Sequence, residues 1–162
     1  MSLEKLLDPR SVAVVGASTK EGSVGRIILE ELTRSSCLLY PVNPKYETLL
    51  GMRCYPSVLD LPEPVDLAVI TIPAPAVPAA AENCGEKGIP YVIVVAGGFG
   101  ETGEEGRVLQ RRLEESGRRH GFRILGPNTL GVFFPEKNFD TVFVEHGDRS
   151  LAAGGGVSVI TQ

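Results

Sequence analysis

Short apolar runs alternate along this chain with longer segments whose apolar residues recur at helical spacing. The clearest example begins with residues 12–15, an apolar run rich in β-branched side chains that stops at Gly16. Such a run is typical of a strand buried on both faces of a parallel sheet. Small, polar and glycine residues follow, and from Val24 to Leu32 the apolar positions take the period of an amphipathic helix. The stretch 11–35 therefore predicts a strand, a glycine-rich turn and a helix.

Further apolar runs predict strands at residues 37–42, 66–72, 91–95 and 122–125, with mostly helical segments between them. A series of βα units is typical of a parallel sheet. We therefore expect an α/β fold, a Rossmann-like doubly wound parallel sheet in three layers, α/β/α. Pro41 cannot donate to a strand ladder, so it should lie at the end of its strand or on a sheet edge.

The segments between these runs carry weaker signals. Residues 47–55 predict a loop, residues 56–61 a short helix, and residues 139–144 a surface or edge strand. Thr102, with Glu105 three residues later, has the spacing of a capping box, which places Thr102 at a helix N-cap. A new strand starts at 157–160 with no partner after it. We therefore expect residues 1–150 to form the domain and residues 151–162 to begin a truncated second domain or form a C-terminal strand.

The glycine-rich turn has a chemical use. The first amides of a helix lack intrahelical partners, and the helix dipole makes that end positive. Glycines let the backbone approach a ligand closely, so residues 16–26 predict a phosphate or diphosphate site, with Ser18 and Ser23 as further donors. The spacing is neither G-x-G-x-x-G nor that of a P-loop. The alternative is a βα turn whose glycines serve backbone geometry alone.

The end of the second predicted strand bears on which ligand binds. Proteins that use NAD usually carry Asp or Glu there to hold the ribose 2′-hydroxyl, whereas this chain has Asn43 and Lys45. A lysine attracts a ribose phosphate, which indicates coenzyme A (3′-phosphate) or NADP (2′-phosphate). The alternative for Lys45 is an ordinary solvated surface charge.

Two more strand ends add candidates. The run Pro73-Ala74-Pro75 predicts either a rigid wall for an adenine ring or a pantetheine arm, or simply a helix start with proline in its first turn. A second glycine cluster, at 97–100, also follows a strand, where ligands of open parallel sheets bind. Asn128 follows the last strand and either directs its amide toward a ligand or shapes the loop.

Composition narrows the class of protein. The chain has 162 residues and a net charge of −4, which argues against a nonspecific nucleic-acid binder. It has no apolar run long enough to span a membrane, and its N-terminus is too short and charged for a signal peptide. The three cysteines suggest neither a disulfide framework nor a metal site. We expect a cytoplasmic protein with reduced cysteines and no bound metal.

With these segments placed, the chain resembles the N-terminal CoA-binding domain of ADP-forming (NDP-forming) acyl-CoA synthetases, which also occurs in succinyl-CoA synthetase α subunits. The resemblance covers essentially the whole chain and depends on the order and spacing of several short motifs. They are SVAVVGAS at 11–18, PVNPK at 41–45, GMRCYPS at 51–57, DLAVI at 66–70, GGFG at 97–100 and GPNTLG at 126–131.

The resemblance implies a coenzyme A site along the strand ends. It assigns the nucleotide part to Gly16, Ala17, Ser18, Ser23, Val24 and Gly25, and the ribose phosphate to Lys45. It assigns packing against the coenzyme to Ile72, Pro73 and Ala74. It places Gly97, Gly98 and Asn128 toward the pantetheine and the thiol.

The resemblance also implies a larger enzyme. In the family, a phosphohistidine on a following domain carries the phosphoryl group, and the acyl group then passes to the CoA thiol. His120 and His146 match no such motif, so we expect no catalytic residue here. The expected partners are CoA or acyl-CoA, and the remaining synthetase domains or an ATP-grasp β subunit. We expect no partner that is a nucleic acid or a membrane.

Two other functions stay open on the sequence. The chain is alternatively a complete CoA-binding or regulatory protein without an attached enzyme. It is alternatively an NADP-dependent oxidoreductase domain, which shares the fold and the basic residue after strand two but shows no recognisable hydride-transfer residues.

Overall fold

The computed structural model describes residues 3–144. A five-stranded parallel sheet forms its centre, and two short antiparallel hairpins lie beside it. In chain order the elements are α1 (Glu4–Leu7), β1 (Ser11–Val15), α2 (Val24–Leu32), β2 (Leu38–Val42), β3 (Thr48–Leu49), β4 (Met52–Arg53), β5 (Leu67–Ile70), α3 (Val77–Glu86), β6 (Tyr91–Val94), α4 (Glu104–His120), β7 (Arg123–Leu125), β8 (Phe133–Phe134) and β9 (Phe139–Asp140).

The central strands lie in the order β2-β1-β5-β6-β7, and every neighbouring pair is parallel. The predicted doubly wound α/β fold is therefore confirmed. The chain moves outward from β1 to β2 and then crosses back to β5, so the direction of winding reverses between β1 and β5. Pro41 lies on β2, which is an edge strand, as the missing amide requires.

The sheet separates two hydrophobic cores, because successive strand residues point to opposite faces. On one face, Ile28, Leu29 and Leu32 of α2 pack on alternate residues of β1, β5 and β6. On the other face, α3 and α4 cover the remaining residues through side chains such as Val77 and Leu113. All five residues of β1 are buried, which explains its continuous apolar run.

The loop predicted at 47–55 is in fact a β-hairpin, β3–β4, with Leu50 and Gly51 at its turn. Both turn residues have positive φ, 49° and 76°, as a two-residue hairpin of type I′ requires. Leucine is an unusual residue for that conformation, so the sequence gives no clear hairpin signal. The short helix predicted at 56–61 is a single 3₁₀ turn, Val58–Asp60, and the Ser57 hydroxyl accepts from the Leu59 amide at 3.2 Å.

The N-cap predicted at Thr102 is wrong. Helix α4 is capped by Gly103, whose φ is 109°, while the Thr102 hydroxyl donates to the Phe99 carbonyl at 2.9 Å. The helix begins later because its first turn packs directly on the preceding loop. A Cβ added to Gly106 would lie 1.8 Å from the Phe99 oxygen. Tertiary packing thus overrides the local capping signal.

The strand predicted at 139–144 is shorter than expected, since only Phe139–Asp140 pairs, with Phe133–Phe134. His146 and the strand predicted at 157–160 lie outside the described residues. The proposed division into residues 1–150 and 151–162 stays a prediction.

A polar cluster joins α3 to α4. The Glu82 carboxylate accepts from Ser116 Oγ at 2.7 Å and from Arg119 Nη1 at 2.8 Å, and it lies 2.8 Å from His120 Nε2. The contact with His120, followed by that with Ser116, lowers the pKa of Glu82 from 4.5 to about 2. Ionisation of the Glu82 carboxylate therefore stabilises the folded state relative to the unfolded state.

We expect Glu82→Gln to lower the melting temperature at neutral pH. Because folding depresses the pKa of Glu82, its contribution is fully present above pH 4.5 and is lost as the pH falls from 4.5 to about 2. The stability difference between wild type and variant should therefore close over that interval in denaturant titrations. Glu115→Gln, on the exposed face of α4, is the control. A Glu82→Gln difference that stays constant from neutral pH to pH 2 would contradict this assignment.

Candidate functional site

The site is built where the central strands end. The register pairs Val15 with both Val42 and Ile70, and Ile70 with Val94, so the carboxyl ends of four strands lie side by side. The segments that follow these strands, including the start of α2, carry all the sequence-predicted site residues up to Gly98, and Asn128 follows β7. In open parallel sheets a ligand crevice forms at this edge, where the winding direction reverses.

The backbone amides after β1 differ in whether they already have an acceptor. The Gly16 amide itself donates to the Val42 carbonyl at 2.9 Å, so it belongs to the sheet and is not available to a ligand. Within residues 3–144, by contrast, no group accepts a hydrogen bond from the amides of Ser18, Val24 or Gly25. These amides surround the N-terminus of α2, where the helix dipole adds positive potential.

Two glycines allow the loop and helix to meet. A Cβ on Gly25 would lie 2.1 Å from the Gly16 oxygen and 2.9 Å from Thr71 Oγ1. A Cβ on Gly16, whose φ is 93°, would lie 2.7 Å from side-chain atoms of Thr71 and Ile72. Both positions therefore require glycine, and the start of α2 is held against the ends of β1 and β5.

The two serines predicted as hydroxyl donors form bonds within the loop. Ser18 Oγ accepts from the Lys20 amide at 3.0 Å, and Ser23 Oγ donates to the Lys20 carbonyl at 2.7 Å. Hydrogen bonds from Ser18 and Thr19 to the Tyr46 hydroxyl lower the pKa of that tyrosine. The serines thus shape the loop and link it to the segment after β2.

Asn43 fastens the end of β2 to the glycine loop. Its side-chain Nδ2 donates to the Ala17 carbonyl at 2.8 Å, and its Oδ1 accepts from the Lys45 amide at 3.0 Å. In the sequence, Asn43 is notable only because it stands where proteins that use NAD usually carry Asp or Glu. The structure adds that it ties the glycine loop to the turn that carries Lys45.

Lys45 is exposed at the rim of a cleft. No carboxylate of the described residues forms an ion pair with its ammonium group, although many other basic side chains of this part of the chain are paired. The charge is therefore available to an anionic ligand.

The cleft has a volume of about 420 Å³, within the range of pockets that hold a nucleotide-sized ligand. It joins Gly16, Lys45 and Ile72, three of the sequence-predicted residues, in one concavity. Its walls add residues from the turn before β5 and from α3, which sequence reasoning missed. The lining is Val15, Gly16, Val42, Asn43, Pro44, Lys45, Pro56, Ser57, Val58, Ile72, Ala79, Ala80 and Asn83.

Gly97, Gly98 and Asn128 form a second group outside this cleft. A Cβ on Gly97 would lie 3.1 Å from Asn128 Oδ1, and one on Gly98, whose φ is 104°, would lie 3.0 Å from the Ala74 Cβ. Ala74 is buried and Pro73 is exposed, so residues 72–74 run from the cleft to this second group.

Glu101 is a further residue that sequence reasoning missed. Its carboxylate accepts from the Gly98 amide at 2.6 Å and from the Phe99 amide at 3.2 Å, and these bonds lower its pKa. The carboxylate thereby fixes the glycine turn. Asn128 has a φ of 58°, and its main-chain N–H donates to the Ala96 carbonyl at 3.0 Å, which agrees with the loop-shaping alternative.

A comparison with protein-family models matches residues 10–135 to the CoA-binding domain. The chain belongs to the CoA-binding domain family. This membership confirms the resemblance and coenzyme A as the cofactor, and it favours coenzyme A over NADP. It also agrees with the segment after β2, where Lys45 forms no ion pair with the described residues and Asn43 stands in place of a carboxylate.

This CoA-binding domain is similar to parts of larger enzymes. It is 47% identical to acetate–CoA ligase [ADP-forming] I of Archaeoglobus fulgidus over 98% of this chain and 24% of the ligase. It is 43% identical to acetate–CoA ligase [ADP-forming] I subunit alpha of Pyrococcus furiosus over 88% of this chain and 32% of the subunit. The chain therefore spans about a quarter of the first relative and about a third of the second.

A solved structure shows the same fold. The dinucleotide-forming acetyl-coenzyme A synthetase 1 of Ca. Korarchaeum cryptofilum, in complex with phosphate and ADP, superimposes with a TM-score of 0.83 at 35% identity. The match covers 88% of this chain and 31% of the synthetase chain. Within residues 3–144, no helix combines the length and apolar character needed to cross a membrane.

The residues at the strand ends fit coenzyme A. The amides after Gly16 suit a diphosphate, the cleft has room and an apolar lining for a nucleoside, and Lys45 supplies a cation for a ribose phosphate. When bound, coenzyme A supplies a thiol that accepts acyl groups.

Proposed function

We propose that this domain binds coenzyme A across the carboxyl ends of β1, β2, β5 and β6. The amides after Gly16, together with those of Val24 and Gly25, hold the diphosphate, and Lys45 pairs with the 3′-phosphate. The observation that carries the proposal is the single cleft that joins Gly16, Lys45 and Ile72. Asn43 supports both contacts because it bonds to the glycine loop and to the Lys45 turn.

The pantetheine arm follows residues 72–74 from the cleft toward the second glycine turn. Pro75 contributes no amide donor, and Pro73 lies exposed beside the buried Ala74, so this segment offers an apolar surface. Gly97 and Gly98 carry no side chains where their turn packs closely against Asn128 and Ala74, and Asn128 lies at the far end with its side-chain oxygen next to Gly97.

We further propose that the domain serves an ADP-forming acyl-CoA synthetase. The support is its similarity to acetate–CoA ligases that form ADP, including one designated an alpha subunit. Other domains of the same enzyme, or a β subunit of ATP-grasp type, then supply the phosphohistidine and the nucleotide site. The domain itself presents the CoA thiol and catalyses no turnover alone.

A thermal-shift and calorimetric comparison tests the binding role. We expect CoA to raise the melting temperature of the isolated chain, by an amount that corresponds to about 2.7 kcal/mol at a ligand concentration of 100 times Kd. NADPH, which carries its extra phosphate at the 2′ position and lacks a pantetheine arm, should have little effect. Protection by NADPH and none by CoA would favour the oxidoreductase alternative.

A further inference from the structure

Asn83 is a polar side chain in the cleft that the proposed contacts leave unused. It lies on α3 one helical turn after Ala79 and Ala80, and all three residues line the cleft. Its main-chain carbonyl accepts from the Lys87 amide at 3.0 Å. Across residues 3–144, its side-chain amide makes no hydrogen bond, and the residue is only partly exposed. Because the residue lines the cleft, its side-chain donors and acceptor are available to a ligand bound there.

The part of the cleft around Asn83, called the slot below, is lined by α3 and by the segment that contains the 3₁₀ turn. Ala79 and Ala80 form one wall, and Pro56 and Val58 belong to the opposite segment. The small alanine side chains leave room for a flat ring. Lys87 Nζ donates to the carbonyls of Leu59 and Leu61, so the 3₁₀ turn is held against α3.

We infer that this slot binds the adenine ring and that Asn83 reads its edge, which makes Asn83 a specificity-determining residue. An asparagine amide pairs with adenine in a bidentate manner, because Oδ1 accepts from the N6 amine while Nδ2 donates to N7. The inference rests on the proposed function and adds to it a selection for adenine over other bases.

The test uses CoA and deamino-CoA, in which hypoxanthine replaces adenine. Hypoxanthine presents acceptors at both O6 and N7, so one asparagine amide cannot satisfy both atoms in the same way. We expect the wild-type chain to bind CoA on the order of tenfold more tightly than deamino-CoA in calorimetric titrations. Asn83→Leu, which keeps a similar volume without polar atoms, should bring the ratio of the two Kd values close to one. Glu86→Gln, on the same helix and outside the cleft, should keep the wild-type ratio.

The outcomes separate the two proposals. If Asn83 had only a structural role, Asn83→Leu would weaken the binding of both ligands equally and leave the ratio of their Kd values unchanged. That result would overturn the inference. Equal affinities in the wild type would also overturn it and leave CoA binding intact. A wild-type chain that binds neither ligand would overturn the proposed function together with the inference.

A second measurement requires no substitution. In the ¹⁵N-labelled wild-type chain, the side-chain amide resonances of Asn83 should shift when adenosine 3′,5′-bisphosphate is added. An unchanged Asn83 amide, alongside shifted backbone amides of the glycine loop, would overturn the assignment of the base while the phosphate site stands.

Discussion

Gly25→Ala should remove most of the affinity for coenzyme A. The added Cβ would lie 2.1 Å from the Gly16 oxygen and 2.9 Å from its carbonyl carbon, and both are backbone atoms that cannot move without shifting β1 or α2. The shift displaces the amides proposed to hold the diphosphate. Loss of hydrogen bonds to a charged group, at about 1.5–3 kcal/mol each, corresponds to an affinity reduced on the order of a hundredfold. Overpacking also costs about 1–3 kcal/mol of stability.

Gly22→Ala provides the matched control, because it adds the same methyl group three residues earlier, in the loop that leads into α2. A Cβ at this position meets nothing within 4 Å. Its φ of 71° makes alanine unfavourable by about 1–2 kcal/mol, so stability falls while the docking of α2 on Gly16 is kept. Calorimetry and thermal denaturation of both variants give the result. If Gly25→Ala bound CoA as tightly as Gly22→Ala does, the amides at the start of α2 would not be the diphosphate site.

Lys45→Ala should weaken CoA binding by about tenfold and leave dephospho-CoA binding nearly unchanged. A charge-assisted contact with phosphate contributes about 1.5–3 kcal/mol when desolvated and about 0–1 kcal/mol when fully exposed, and Lys45 lies at an exposed rim. Lys45→Glu should have a larger effect because it places a like charge beside the phosphate. The measurement is the ratio of the Kd values for dephospho-CoA and CoA in each variant.

Arg112→Ala controls for the change in net charge, since Arg112 is exposed on α4 and lines no part of the cleft. This variant should bind both ligands as the wild type does. If Lys45→Ala weakened the binding of CoA and dephospho-CoA equally, Lys45 would not contact the 3′-phosphate. Its contribution would then be a general electrostatic attraction.

The sequence predicts the sheet and the strand-end residues because strong local patterns mark both. The buried run at 12–15 followed by Gly16 has few alternatives to a βα turn, and the parallel arrangement then brings Gly16, Lys45 and Ile72 to one edge. The unpaired amides near Gly25 follow from the same pattern, since every helix start leaves such donors.

The missed residues depend on tertiary packing. Ser57 and Asn83 reach the cleft because a 3₁₀ turn and the middle of α3 pass over the ends of β1 and β2, and no local signal marks either residue. The cap at Thr102 fails for the same reason, because contact between Gly106 and Phe99 delays the start of α4. Asn43 carries a recognisable turn signal, yet its bond to Ala17 joins segments that are 26 residues apart.

A crystal structure of this chain with coenzyme A tests the central claim most directly. We predict that the diphosphate lies within hydrogen-bond distance of the amides of Ser18, Val24 or Gly25, and that the 3′-phosphate lies beside Lys45 Nζ. Coenzyme A bound away from the cleft between Gly16 and Lys45, or bound there with its phosphates directed away from both, would contradict the account.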